Sequence, residues 1–301
     1  MKNKSVLIIG SEGFIGSNIL RHLQKNNEVH SCDYADIRGR KNYFQINPLN
    51  QNYFDILNVG KYDYVINCAG SANVGASILN PSYDFDANVH VVAKLLSAIL
   101  ETKHNTRLLN ISSAAVYGNP ETVPIHTEFA VTATPISPYG VHKRITEILL
   151  ENYYKSFNIP TCSLRLFSAY GNGQRKLLLW DLFKNFSEND VVELFGTGNE
   201  SRDYIHVEDI CQQIELVLLN AEFKGEAYNI ANGEEVFIKN VASLFSSFFQ
   251  NKKFEFNGLV RQGDPLNWQA DIQRMKVWGY QQKVTFKEGV YQFIKWAQEN
   301  A

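Results

Sequence analysis

Residues 10–16 read Gly-Ser-Glu-Gly-Phe-Ile-Gly, directly after the apolar run Val6–Ile9. Glycines at this spacing between a strand and a helix are typical of a loop that binds the pyrophosphate of a dinucleotide. Gly10 permits the tight turn, Gly13 lets backbone N–H groups approach the phosphates, and Gly16 lets the helix pack close to the strand. Because the N-terminus of a helix attracts anions, the stretch predicts a dinucleotide site.

An acidic residue, Asp33, follows Gly10 by 23 positions and ends the apolar run Val29–Cys32. A carboxylate at this place accepts hydrogen bonds from the adenosine ribose hydroxyls and repels a 2′-phosphate. These residues therefore favour NAD(H) as the cofactor. Arg38 and Arg40 lie close by, and a cation there accommodates the phosphate, so NADP(H) stays an alternative.

Short apolar runs alternate with amphipathic stretches through the first half of the chain. Such runs are typical of buried parallel strands, and the alternation places helices on both faces of one sheet. The order predicts an α/β protein with a Rossmann-type doubly wound parallel sheet. The predicted strands are Val6–Ile9, Val29–Cys32, Tyr64–Cys68, Leu108–Ile111 and Cys162–Phe167, and the predicted helices are Phe14–Lys25, Tyr83–Thr102 and Tyr139–Phe157.

The pattern changes after about Gly171, where loops rich in Gly and Asn separate shorter strands and helices. Residues 1–171 are therefore predicted to form the NAD(P)-binding Rossmann domain, and residues 172–301 a smaller α/β lobe for the substrate. The run Tyr228–Ala231 reads as a further core strand, so part of residues 205–232 is predicted to join the first domain.

Composition excludes several classes of protein. The 301 residues include 29 Lys and Arg against 31 Asp and Glu, so the chain lacks the basic excess that nucleic-acid binding needs. The four cysteines are far apart in sequence, which predicts core thiols, no metal site and a reducing compartment. No apolar run approaches the roughly 18 residues of a membrane helix, and the N-terminal run is too short for a signal peptide. We therefore expect a cytoplasmic protein that binds no membrane.

Tyr139 and Lys143 lie four positions apart in a helix that is predicted to begin after Ser137. This spacing puts both side chains on one helical face. A phenol of pKa about 10 is a poor base at neutral pH, and a nearby ammonium with a positive nicotinamide ring lowers that pKa. The pair is therefore predicted to supply an acid/base group, and His142 between them is expected to face away from the site.

Ser113 follows the predicted strand Leu108–Ile111, at the sheet edge where ligands bind, so its hydroxyl can hydrogen-bond a reacting oxygen. Residues 113–118, the glycine loop and the Tyr139–Lys143 pair together resemble the extended short-chain dehydrogenase/reductases. Within that group the chain is most similar to the NAD-dependent sugar-nucleotide epimerase/dehydratase family. The likeness continues, in order, through residues 88–89, 164–171, 195–198, 202–207 and 261–265.

The resemblance implies a role for each matched position. Ser113 holds the substrate hydroxyl, Tyr139 is the acid/base, and Lys143 binds the nicotinamide ribose and lowers the tyrosine pKa. The two arginines of the substrate site suit the diphosphate of a sugar donor. The predicted cofactor site comprises Gly10, Gly13, Phe14, Ile15, Gly16, Asp33, Cys68, Ala69, Gly70, Tyr139 and Lys143, and the predicted substrate site comprises Ser113, Ser168, Phe195, Arg202 and Arg261.

The resemblance further implies an oxidoreductase that transfers hydride at C4 of a nucleotide-diphosphate sugar. A 4-ketoreductase is favoured, because the chain is compact and Ser168 replaces the asparagine common at the donor site. A 4-epimerase, similar to the UDP-glucose 4-epimerases, is the alternative, and a non-catalytic dinucleotide-sensing protein is a third, less favoured one. Dehydration is predicted to be absent, since Ala114 and Ala115 stand where 4,6-dehydratases have an acid and a base.

The resemblance also implies a homodimer in which two helices pair with their copies. Both helices carry apolar residues at helical spacing. The alternative is that these side chains all face the sheet of their own chain. The residues are Val91, Leu95 and Ile99 on the first helix, and Ile145, Leu149 and Tyr153 on the second.

Overall fold

Successive side chains of the first strand, Ser5–Ile9, enter two different apolar cores. Val6 and Ile8 pack on one face of the sheet, and Leu7 and Ile9 pack on the other. Because both faces of the sheet are covered, the sequence of this strand is a continuous apolar run and does not alternate between apolar and polar residues.

The computed structural model describes residues 1–47, 51–250, 252–259 and 263–301.

The regular elements are numbered here in chain order. The strands are β1 (Ser5–Ile9), β2 (Glu28–Asp33), β3 (Tyr43–Gln45), β4 (Tyr64–Asn67), β5 (Arg107–Ser113), β6 (Thr161–Leu166), β7 (Ser168–Tyr170), β8 (Val191–Leu194), β9 (Ser201–Arg202), β10 (Tyr204–His206), β11 (Lys224–Ile230), β12 (Val236–Phe237) and β13 (Lys253–Phe256). The helices are α1 (Phe14–Leu23), α2 (Phe54–Gly60), α3 (Val74–Leu79), α4 (Pro81–Phe85), α5 (Val91–Thr102), α6 (Pro138–Phe157), α7 (Leu177–Glu188), α8 (Val207–Asn220), α9 (Ile238–Phe248), α10 (Gln273–Val277) and α11 (Phe286–Asn300).

Seven of the described strands form one sheet in the order β11-β6-β5-β4-β1-β2-β3, and every neighbouring pair is parallel. The predicted Rossmann-type doubly wound sheet is therefore confirmed. The order reverses between β1 and β4, and ligands of such sheets bind in the crevice at the carboxyl ends of the strands on either side. The loops after Ile9 and Asn67 lie at this place.

The helix predicted over Tyr83–Thr102 is not continuous. A π-helical turn, Asp86–His90, separates α4 from α5. Within this segment the side chain of Asn88 donates a hydrogen bond to the carbonyl of Asp84 at 3.0 Å. Such π turns occur where functional residues are accommodated, and periodicity alone does not reveal them.

A third apolar core lies under α7, α9 and α11, beside the parallel pair β8 and β13. From the second half of the chain, β11 returns to the main sheet and pairs with β6. The boundary near residue 171 stays a prediction. No helix in the described part of the chain combines the length and the apolar character needed to cross a bilayer.

Candidate active site

The loop from β1 to α1 requires its glycines. Gly10 has a φ of +78°, and a Cβ on it would lie 2.7 Å from the backbone N of Ala69. A Cβ on Gly16 would lie 2.1 Å from the carbonyl oxygen of Gly10. Gly13 is the N-cap of α1 and supplies no side-chain cap, so the first turn of the helix offers its N–H groups to an anion. The loop therefore fits a dinucleotide diphosphate.

Asp33 is buried at the end of β2 beside this loop. Its Oδ2 accepts the backbone N–H of Glu12 at 2.8 Å, and its Oδ1 accepts that of Tyr34 at 2.7 Å. The guanidinium of Arg40 pairs with the carboxylate of Glu12. Because this pair already neutralises Arg40, the geometry favours NAD(H) over NADP(H).

One cavity of 930 Å³ joins the cofactor loop to the second half of the chain. Its volume lies within the usual range of small-molecule sites. Gly10, Gly13, Gly16 and Asp33 are not on its wall, and the predicted substrate residue Arg261 lies outside the described residues. The predicted site residues on its wall are Phe14, Ile15, Cys68, Ala69, Gly70, Ser113, Tyr139, Lys143, Ser168, Phe195 and Arg202.

The three predicted catalytic side chains meet where β5 ends and α6 begins. Ser137 caps α6 by accepting the N–H of Gly140 at 3.2 Å, which places Tyr139 in the first helical turn. The Tyr139 phenol and the Ser113 hydroxyl line the same cavity, and Ser113 is close enough to act on the pKa of the phenol. The Nζ of Lys143 donates to the carbonyl of Ile111 at 3.0 Å and lies 5.8 Å from the centre of the Tyr139 ring.

Burial governs the protonation of both groups. It raises the pKa of Tyr139 to about 12, although Ser113 acts in the other direction. It also lowers the pKa of Lys143 to about 8, opposed first by the negative charge of Asp84. The sequence predicted that Lys143 lowers the Tyr139 pKa. That effect stays a prediction, since the ammonium donates to the Ile111 carbonyl and burial is the largest influence on the Tyr139 pKa.

Arg202 lies on β9 on the opposite side of the cavity. Asp203 anchors this segment by accepting the backbone N–H groups of Asn232 and Gly233, each at 2.9 Å, and of Ala270 at 3.0 Å. The Arg202 guanidinium donates to the Ser201 carbonyl at 2.8 Å and forms no salt bridge with a carboxylate of the described residues. Its positive charge is therefore available to an anionic ligand.

One feature of the cavity wall and one behind it were not predicted from the sequence. Trp268 lines the wall, and the Arg202 guanidinium lies 5.7 Å from the centre of its ring. No signal marks Trp268, because it is an isolated aromatic residue in a loop. The buried pair of His142 and Asp84 was also missed, since the two residues come from different helices.

The helix residues proposed for a dimer contact divide into two groups. Val91, Leu95 and Ile99 are buried in the core of their own chain, so the prediction that they reach a partner is wrong. They face the sheet because α5 covers it. On α6, Leu149 and Tyr153 are partly buried against the same core, and Ile145 is half-buried. The exposed apolar residues on this helix include Val141 and Ile148, which the sequence did not single out, and the homodimer stays a prediction.

The comparison with known families agrees with this arrangement. The model of the NAD dependent epimerase/dehydratase family matches residues 6–231. The chain belongs to this family. The family prediction is thereby confirmed, and NAD, which the family's description names, is the cofactor that the residues favour.

Individual members of the family resemble the chain over most of its length. The UDP-glucose 4-epimerase of Mycoplasma genitalium is 31% identical over 261 residues, 76% of each chain. That of Mycoplasma pneumoniae is 28% identical over 302 residues, 90% of this chain and 89% of the relative. The UDP-glucose 4-epimerase of Thermus thermophilus, solved with NAD, is 25% identical with a TM-score of 0.86 and covers 99% of this chain and 100% of its own.

Proposed function

We propose that this chain is an NAD-dependent 4-epimerase of a UDP-linked hexose. The observation that carries the proposal is that Ser113, Tyr139 and Lys143 line the same cavity as the end of the cofactor loop. The named relatives reported above are UDP-glucose 4-epimerases, and they support the epimerase alternative over the 4-ketoreductase that the sequence favoured.

The chemistry requires a proton and a hydride to leave the same carbinol. NAD+ held by the glycine loop supplies the hydride acceptor. Ser113 hydrogen-bonds the C4 hydroxyl and orients it, and Tyr139 Oη takes the hydroxyl proton. The positive charge of Lys143 favours the phenolate form that this transfer needs. When the 4-keto sugar is reduced on its opposite face, Tyr139 would return the proton to the C4 oxygen.

We propose that Arg202 binds the diphosphate of the sugar donor. We further propose that Ser168 and Phe195 line the path toward the nucleotide. Phosphate suits a guanidinium that donates two parallel hydrogen bonds. Binding energy at the diphosphate, far from C4, then positions the sugar over the cofactor.

Ala114 and Ala115 argue against water elimination. Both follow Ser113 on a buried 3₁₀ turn, and neither can transfer a proton. We propose that no water is eliminated and that the substituent at C6 is kept, which separates this chain from the dehydratases of the same family. A cytoplasmic location stays a prediction.

Product analysis tests the proposal. Purified protein with NAD+ is incubated separately with UDP-glucose, UDP-N-acetylglucosamine and UDP-glucuronic acid, and the products are identified by NMR. We expect the C4 epimer of at least one substrate with no net change in NADH. Formation of NADH in proportion to a 4-keto sugar would instead identify a reductase running in reverse, and a 6-deoxy-4-keto product would identify a dehydratase.

A further inference from the structure

His142 and Asp84 form a buried pair behind the cavity wall. His142 directly precedes Lys143 on α6, and Asp84 lies on α4, which packs against α6. The Nδ1 of His142 lies 2.7 Å from the Oδ2 of Asp84, and the side chains are only 11% and 2% exposed. Phe85 covers the imidazole edge-on, with 5.4 Å between the ring centres. Water therefore contributes little to the solvation of this carboxylate.

Asn88, one turn after Asp84, brings a polar oxygen atom close to the Lys143 ammonium. The Oδ1 atoms of Asp84 and Asn88 are buried and have no hydrogen-bond partner among the described residues. A Cβ on Gly70 would lie 2.6 Å from the Asn88 Oδ1 and 3.4 Å from the Lys143 Nζ. Residues 84–88 thus present negative and polar oxygen atoms on the side of the fold where Lys143 is buried.

Within the described residues, His142 is the salt-bridge partner of Asp84. The carboxylate of Glu147 accepts from Arg165 at 2.9 and 2.8 Å, so its charge is compensated. Burial raises the pKa of the Cys68 thiol, which keeps it neutral. The titratable groups facing Lys143 are Asp84 on α4, Cys68 after β4, and Glu147 and Tyr139 on α6.

We propose that His142 and Asp84 are positioning residues for Lys143: His142 donates to Asp84 and holds it as a buried anion, and this anion keeps the Lys143 ammonium charged beneath the reacting groups. The negative charge of a buried carboxylate is poorly solvated once its hydrogen-bond donor is removed. Lys143 would then lose its main electrostatic support. The catalytic consequence of this arrangement rests on the proposed function, but the titration of Lys143 does not.

Competitive acetylation of the full-length protein across a pH series, read by peptide mass spectrometry, reports the titration of Lys143 without any reaction of the enzyme. In the unmodified chain we expect a midpoint near pH 8, because burial lowers the pKa of Lys143 to about 8. Asp84→Asn and His142→Leu should both lower this midpoint by about one unit. His142→Asn has nearly the same shape as His142→Leu but keeps a donor, so it should restore the midpoint.

The control is His126→Leu, because His126 forms a similar pair with Asp271 at 2.6 Å on the exposed surface. It should leave the Lys143 midpoint unchanged. Equal midpoints in the unmodified chain, Asp84→Asn and His142→Leu would overturn the proposal, as would equal effects of His142→Asn and His142→Leu. If His142→Leu does not fold, Asp84→Asn decides the outcome. Absence of epimerase activity in the unmodified protein would refute the proposed function and leave this titration valid.

A second readout is the pH dependence of NADH binding, followed by fluorescence. If Lys143 contacts the nicotinamide ribose, loss of its charge weakens binding at high pH. The alkaline limb of the binding profile should therefore move to lower pH in Asp84→Asn and His142→Leu but not in His142→Asn. A merely structural role of the pair would lower affinity equally at all pH values, and that result would count against the proposal.

Discussion

The Lys143 ammonium donates to the carbonyl of Ile111 and lies 5.8 Å from the centre of the Tyr139 ring, so the strand end and not the phenol fixes its position. The lysine is thereby held in place before any ligand binds. Any effect of the lysine on the phenol acts through space, because the Nζ hydrogen bond goes to the Ile111 carbonyl.

Replacing Tyr139 by Phe removes the proposed acid/base and keeps the ring. Turnover should fall by about 10²–10⁴-fold, because the carbinol proton loses its acceptor. The measurement is kcat for the interconversion of the C4 epimers. Tyr153→Phe, on the same helix, is the matched control and should retain activity. If Tyr139→Phe keeps more than about a tenth of the turnover, another group transfers the proton.

Asp33 should set the choice of cofactor. The unmodified chain is expected to bind NADH more tightly than NADPH, because the carboxylate repels a 2′-phosphate and Arg40 is already paired with Glu12. Asp33→Asn should weaken NADH binding about ten- to a hundred-fold. Fluorescence titration measures both constants, with the exposed Asp36→Asn as control. If the unmodified chain binds NADPH more tightly than NADH, then Arg38 and Arg40, and not Asp33, set the choice of cofactor.

Arg202→Ala should weaken use of the sugar donor and leave the cofactor site intact. Loss of charge-assisted hydrogen bonds to a diphosphate lowers kcat/KM by about ten- to a hundred-fold. Arg202→Lys keeps the positive charge but loses the planar guanidinium group. Its kcat/KM should therefore lie between the values of the unmodified chain and of Arg202→Ala. Equal losses of NADH and donor affinity in Arg202→Ala would show that this residue supports the fold instead.

The proposed homodimer should depend on the outer face of α6. Ile148 is 49% exposed there, in line with Val141 and Ile145 at helical spacing. Ile148→Asp should convert a dimer into a monomer, because a buried charge in an apolar contact is costly. Light scattering at micromolar concentration measures the mass. Val277→Asp, an exposed apolar site on α10, is the control and should stay dimeric; a monomeric unmodified chain would refute the dimer.

Much of the cofactor half is predictable because its signals are local. The glycines of residues 10–16, the apolar strand before them and the acid after β2 lie within one strand-helix-strand unit, and each has a separate steric or electrostatic reason. The spacing of Tyr139 and Lys143 likewise follows from the geometry of one helix. For such features, the amino-acid sequence by itself determined the sheet, the turn and the shared helical face.

Only the tertiary structure decided which groups act on one another across elements. Asp84 and His142 are 58 positions apart and meet because α4 packs against α6. The upward shift of the Tyr139 pKa likewise depends on burial, and Tyr139 is buried because α6 packs against the end of β5. Desolvation and charge act through distances in space, and these distances are set by packing between elements, which a pattern of residue types along the chain does not contain.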